Sequence, residues 1–258
     1  MKTYAIVCKQ DQYSHHIENQ LRQALDDMMQ YDEEHPELVI SVGGDGTMIY
    51  SVHKYIQQLD NVSFIGIHTG TLGFLTDYQK DECDQLIQDI KKNEYKMYNR
   101  CLLEVTMNEQ TYLALNEIRL ENNRRAQVIG VYINGDFFET FRGNGLCVST
   151  ASGSTAYNKS LGGAVINSGA GLMQLSEIAG IHHNAYRSLG SSLILDWTHT
   201  IHFESDNFEG AILGVDNYVF DLSGEQSVDV RLSPLRAKFV QYKRVPFIER
   251  LKRSFLNV

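Results

Sequence analysis

At about residue 98 the rhythm of this 258-residue chain changes, and that change constrains its fold more than any other feature. Before it, strand and helix signals alternate. Thr3 to Cys8 reads as a short buried strand, and Ile17, Leu21, Ala24, Leu25 and Met28 then recur at helical spacing. Leu38 to Val42 is a second strand, and Met48, Ile49, Val52, Tyr55, Ile56 and Leu59 mark one face of a helix. Val62 to Ile67 is a third strand, and Leu86, Ile87 and Ile90 share another helix face. Nearly all-apolar strands alternating with helices predict a parallel sheet covered on both faces.

After residue 98 the runs LLEVTM, TYLALNEIRL, QVIGVYINGDFFETF, GLCVST, SLILDWTHTIHFES, AILGVDNYVFDL and SVDVRL are β-branched, aromatic or alternating. Asn134-Gly135 between two such runs is a hairpin signal. This half predicts an antiparallel β-sandwich with one helix near Leu172 to Ala179. The expected divisions are an N-terminal α/β domain of Rossmann-like type over 1–97, an all-β sandwich over 98–240, and a closing segment over 241–258. No Pro- or Ser-rich linker separates the halves. The closing run VPFIERLKRSFLNV reads as a short basic amphipathic helix, its Lys and Arg residues on a solvated face and its apolar side docked on the body.

With 43% apolar residues the chain can bury a substantial core, and a formal charge of −9 argues against a nucleic-acid partner, which needs a basic face. A small anionic ligand remains compatible, because backbone dipoles bind phosphate even in an acidic protein. Cys8, Cys83, Cys101 and Cys147 form no CxxC pair, which argues against a zinc site or disulfide framework and suits a reducing compartment. The apolar stretch at the N-terminus is too short for a signal peptide, and no segment approaches membrane-spanning length. The expected location is the cytoplasm, with no membrane partner.

Where the second strand meets the second helix stands SVGGDGTMIYS, residues 41 to 51. Gly43, Gly44 and Gly46 allow a ligand to lie against bare backbone, and a helix starting near Thr47 presents unpaired N–H groups to an anion. Gly43, Gly44, Gly46 and Thr47 are therefore candidate phosphate contacts. Asp45 in their midst would repel phosphate, a tension that resolves if its carboxylate faces a hydroxyl or a metal. The plain alternative is a helix N-cap. The run is neither a Walker A loop nor a dinucleotide GxGxxG.

A second run, FRGNGLCVSTASGSTAYNKSLGGAVI over 141–166, offers amides, hydroxyls and the Tyr157 ring with few charges; Ser152-Gly153-Ser154 lacks the leading glycine of a hydrolase elbow. Third, Asn116 and Glu117 interrupt an apolar strand, as either a satisfied structural pair or a contact to a base edge or ribose.

Together with FIGIHTGTLGFLTD (residues 64–77), these stretches resemble the NAD kinase family over most of the chain, in a version similar to the shorter enzymes of Gram-positive bacteria. The resemblance implies an α/β domain and a β-sandwich, with NAD bound between them and between subunits of a homotetramer or homodimer. It implies transfer of a phosphate from ATP (or polyphosphate) to the 2′-hydroxyl of the adenosine ribose of NAD, with Mg²⁺, to make NADP. Asp45 would be the proton acceptor and Gly46 a neighbouring contact. Phe74 would lie near the adenine. Asn116, Glu117, Arg142, Asn144, Ser152, Thr155, Ala156, Tyr157, Asn158, Lys159 and Ser160 would bind NAD. Ala179 and the Asp216-Asn217-Tyr218 turn would line the site. Two positions depart from the family: Asn144 stands where GDG is usual, and the STPTGSTAY pattern reads STASGSTAY here.

In this reading a carboxylate at hydrogen-bond distance orients a poorly nucleophilic hydroxyl and accepts its proton. His68, in the HTG turn, is a candidate lining residue. His199 and His202, three apart in a predicted strand, face opposite sides and make a poor metal pair, and His182-His183 after the predicted helix reads as surface. Two rivals remain. A lipid kinase of the diacylglycerol or sphingosine type would share GGDGT without needing the other segments, and a non-catalytic nucleotide sensor would not need Asp45.

Overall fold

A computed structural model of the chain describes residues 1–70, 73–182 and 187–256. Two compact units emerge, Met1–Arg100 with Arg236–Val258, and Cys101–Leu235. The boundaries fall inside two long strands, Lys96–Met107 and Ser227–Gln241.

In the first unit the strand Thr3–Cys8 pairs in parallel with Leu38–Gly43, and Leu38–Gly43 with Ser63–His68. Lys238 and Phe239 add a further parallel strand beside Ser63 and Phe64. Leu38–Gly43 is buried along its whole length, as a nearly all-apolar run with only Ser41 polar requires. The helix Gln12–Leu25 starts where Asp11 accepts the Ser14 N–H, a cap worth about 1 kcal/mol. Its buried stripe is Ile17, Leu21 and Leu25; Met28 lies beyond its end and is exposed, so the expected stripe is one turn too long. Cys83–Lys92 buries Leu86, Ile87 and Ile90 and ends at Asn93 in the left-handed conformation (φ 56°). These faces meet Tyr4, Ile6, Ile40 and Ile65 in one core.

The second unit is a sandwich of antiparallel sheets. One runs Leu193–Asp196, Leu172–Ile178, Gly145–Thr150, Glu117–Glu121, Ile212–Val215, Tyr218–Asp221 in spatial order. In the other, Asp136–Gly143 pairs with Gln127–Ile133, which pairs with Thr200–Glu204. Inner faces of both supply one core that includes Ile118, Leu146, Val148, Val131, Phe141 and Phe203. The Asn134-Gly135 turn has positive φ at both residues (53° and 88°), as the sequence predicts for a tight hairpin.

Three expectations are corrected. Leu172–Ile178 is a strand, not a helix: it pairs with both Gly145–Thr150 and Leu193–Asp196, and burial on both faces outweighs the helix-forming Leu, Met, Gln and Glu. The run SLILDWTHTIHFES is two strands in different sheets, with His199 before the second and bonded to Asp196 while His202 bonds to Asp229. The closing segment contains Arg250, whose side chain is buried rather than solvated.

Candidate functional site

The parallel register sets Gly43 beside His68 at adjoining strand ends, so the GGDGT and HTG turns leave the sheet together. Ligands in open α/β sheets bind at such carboxyl ends. The Thr47 hydroxyl packs on the bare Cα of Gly43, where an added Cβ would stand 2.2 Å from Oγ1. Gly44 caps the helix Asp45–Lys54 through its carbonyl, accepting from Thr47 and Met48 at 3.0 and 3.1 Å.

Asp45 is the first residue of that helix, not its cap. Its carboxylate turns to the Gly73–Asp77 loop instead: the Phe74 N–H donates to Oδ2 at 2.8 Å and the Leu75 N–H to Oδ1 at 2.9 Å. Half-buried and held at both oxygens, it keeps one rotamer and still has lone pairs to offer. The Gly70 N–H donates to His68 Nδ1 at 2.8 Å, which leaves Nε2 to carry the proton of the neutral ring. Burial pushes the His68 pKa down, with the Asp45 carboxylate pulling it up. The Phe74 ring packs on Phe255 and Phe247, with centroids 5.4 and 6.4 Å away.

In the second unit Asn116 and Glu117 open the strand Glu117–Glu121, and both are buried. Asp216 sets their position. Its carboxylate accepts the N–H groups of Leu115, Asn116 and Glu117 at 2.7, 2.8 and 3.2 Å, from a turn where Asp216 itself has φ 50°. Asn116 Oδ1, Glu117 Oε2 and Ser149 Oγ are buried without a hydrogen-bond partner. Ser149 lies opposite Glu117 in register. Buried acceptors of this kind can take a donor from a water or a ligand. Burial, with the nearby Asp216 charge, pushes the Glu117 carboxyl up to about 7.

The ASGSTAY loop stands on the same framework. Gly153 approaches the Asn116 carbonyl so closely that a Cβ would stand 2.1 Å from it. The Thr155 hydroxyl donates to the Ser152 carbonyl at 3.3 Å, Ala156 leads into the short helix Tyr157–Ser160, and Arg119 lies over the Tyr157 ring at 5.2 Å. Lys159 and Ser160 are exposed at its end. Asn158 is internal: Ser176 donates to its Oδ1 at 2.8 Å and its Nδ2 reaches the Ser154 carbonyl at 3.4 Å.

Arg142, Asn144 and Ala179 form a separate group. The Asn144 N–H donates to the Ile178 carbonyl and its side-chain amide to the Asn122 carbonyl, both at 3.0 Å. The Ile181 N–H donates to the Arg142 carbonyl at 2.7 Å, and Ala179 has φ 46°. This group stands at the opposite end of the strand Gly145–Thr150 from Asn116 and Glu117, on the order of 17 Å away at about 3.3 Å per residue. Asn217 is exposed in the turn before Tyr218–Asp221. His182 is exposed, 3.5 Å from Glu177, and follows a strand rather than a helix; His183 lies outside the described residues.

Sequence reasoning missed Arg250 and Arg100, which bind the loop that holds Asp45: Arg250 Nη1 donates to the Thr76 carbonyl at 2.5 Å and Arg100 Nη2 to the Phe74 carbonyl at 3.1 Å. No local signal marks them, since Arg250 meets its partners 173 to 177 residues away. Among the described residues the only group of His, Cys, Asp and Glu close enough to share a metal is Cys8, His15 and Glu18, which includes no candidate site residue.

A sequence model of the ATP-NAD kinase N-terminal domain matches residues 2–95, and one of the ATP-NAD kinase C-terminal domain matches residues 115–242. The chain is 38% identical to an NAD kinase of Geobacillus stearothermophilus, over 98% of this chain and 96% of that protein. It is likewise 38% identical to NAD kinase 1 of Bacillus subtilis (strain 168), over 98% of each. Its fold matches that of yeast NADH kinase solved with NADH, with a TM-score of 0.87 over 100% of this chain and 88% of that one at 19% identity. Matches to both domains over nearly the full length do not favour the lipid-kinase alternative. The chain belongs to the ATP-NAD kinase family, a kinase acting on NAD.

Proposed function

We propose that the phosphate of ATP is transferred to the 2′-hydroxyl of the adenosine ribose of NAD, and that Asp45 orients this hydroxyl and accepts its proton. One observation carries the assignment: the Asp45 carboxylate is fixed at both oxygens by backbone amides, at the mouth of a glycine turn whose amides suit phosphate. A base held in one rotamer avoids the orientational cost of finding the hydroxyl in each turnover. Gly43, Gly44, Gly46 and Thr47 would take the phosphates. Asn116 and Glu117, with orphaned acceptors beside the ASGSTAY loop, would take NAD together with Ser152, Thr155, Ala156, Tyr157, Asn158, Lys159, Ser160 and Asn217.

Mg²⁺ would enter with ATP, as a hard cation suited to oxygen donors. Bound with ATP, it supplies charge neutralisation on the transferring phosphoryl group. A homotetramer or homodimer, in which the group of Arg142, Asn144 and Ala179 serves a partner subunit's NAD, rests on the family resemblance. Among the described residues no helix is long and apolar enough to cross a membrane. NADP synthesis in the cytoplasm is the setting this reading supports.

The test is product analysis after incubating the pure protein with NAD, ATP and Mg²⁺. NADP carrying its phosphate on the 2′-oxygen by phosphorus NMR is expected. Phosphate elsewhere, or no NADP with ATP or polyphosphate, contradicts the proposal.

A further inference from the structure

The two amides that hold Asp45 belong to planar peptide groups whose other ends are held by guanidinium groups. The Phe74 N–H shares a plane with the Gly73 carbonyl, and the Leu75 N–H shares one with the Phe74 carbonyl. Arg250 Nη1 lies 3.4 Å from both of those carbonyl oxygens and bonds a third, Thr76 O, at 2.5 Å. Its Nη2 pairs with Asp77, and the two side chains are only 6% and 4% exposed. Arg100 Nη2 adds a bond to the Phe74 carbonyl at 3.1 Å.

Holding the oxygen end of a rigid plane fixes where its N–H points. Cations at that end also polarise the N–H and strengthen its donation to a carboxylate. The fork of Arg250 suits this task because one planar group spans three carbonyls and a carboxylate, which a point ammonium cannot do.

We propose that Arg250 is a positioning residue for phosphoryl transfer, fixing the orientation of Asp45 through the 73–74 and 74–75 peptide groups, an inference that rests on Asp45 as the proton acceptor. Residues 246–256 are thereby part of the catalytic apparatus: their helix carries Arg250, and Phe247 and Phe255 cover the Phe74 ring. The plain alternative is a buried ion pair with Asp77 that only stabilises the unit.

The test uses the full chain with Arg250→Lys, Arg100→Gln, Asp45→Asn and the double variant Asp45→Asn/Arg250→Lys. For each, kcat, the KM values for NAD and ATP and the melting temperature are measured. Arg250→Lys is expected to lower kcat about 10- to 100-fold with KM values within about threefold. In the Asp45→Asn background the same change should cost less than about twofold, since both act through one group. Arg100→Gln removes one bond to the Phe74 carbonyl and should lower kcat by a smaller amount, about threefold.

Wild-type kcat in Arg250→Lys, or fully multiplicative losses in the double variant, would overturn the inference. If Arg250→Lys does not fold, Arg100→Gln decides alone: an unchanged kcat overturns it. Near-wild-type turnover in Asp45→Asn contradicts the assignment of Asp45 itself, a failure read separately from the others.

Discussion

Gly73 and Asp45 are in such close contact that a Cβ on Gly73 would stand 2.1 Å from Asp45 Oδ1. The carboxylate cannot yield without leaving the Phe74 and Leu75 amides, at 2.8 and 2.9 Å. Gly73→Ala should therefore displace the base by a fraction of an ångström to an ångström and lower kcat about 10- to 100-fold. Steady-state NADP formation, with circular dichroism to confirm folding, checks this. An unchanged kcat would mean that the carboxylate needs no fixed position.

Glu117 gives a stability signature that does not depend on activity. Burial and the Asp216 charge raise its carboxyl from the usual 4.5 to about 7 in the folded chain. The folded state then holds the proton more tightly than the unfolded one, so its contribution is fully present below pH 4.5 and is lost as pH rises through 7. Glu117→Gln removes that loss. The variant should gain about 2–4 kcal/mol over the unliganded wild type at pH 8 relative to pH 4.5, as measured by urea unfolding at both pH values. Parallel stabilities across that range would contradict the raised carboxyl.

Asp216 satisfies three buried backbone donors with one carboxylate. Asp216→Ala leaves them unpaired, and about 2–4 kcal/mol of stability should go with them. Because those donors belong to Leu115, Asn116 and Glu117, the KM for NAD should rise at least about tenfold in protein that still folds. Thermal unfolding and NAD titration of the same preparation separate the two effects.

The sequence made some of this architecture legible and hid the rest for a physical reason. Local rules were enough for the parallel strands, which are apolar on both faces, and for Asn134-Gly135, where both residues need positive φ. The strand-to-helix turn at GGDGT was also legible locally. Leu172–Ile178 did not, because its strand state depends on Gly145–Thr150 and Leu193–Asp196 pairing with it. Arg250 reads as one more surface charge in ERLKRS until the Gly73–Asp77 loop, far away in sequence, supplies carbonyls and Asp77 to bury it. The clamp by Asp216 is equally non-local, spanning 99 to 101 residues.

Asn144 tests the departure from the family's GDG. Its side-chain amide donates to the Asn122 carbonyl at 3.0 Å, which an ionised carboxylate cannot do. Asn144→Asp should therefore cost about 1–2 kcal/mol rather than restore a better-fitting residue. Equal or higher melting temperature in the variant would show that this bond contributes nothing.

The central claim is that the Asp45 carboxylate is a base held ready by two peptide amides. Asp45→Asn keeps one acceptor oxygen for those amides and sets its own NH₂ against the other, so a modest loss of about 1–2 kcal/mol in stability is expected. The decisive measurement is single-turnover formation of NADP by Asp45→Asn, well below its melting temperature and with NAD and ATP saturating. A rate lower by about 10²- to 10⁴-fold, with NAD affinity within a few-fold of wild type, is the expected result. A single-turnover rate close to wild type would show that the carboxylate only shapes the loop and that the proton goes elsewhere.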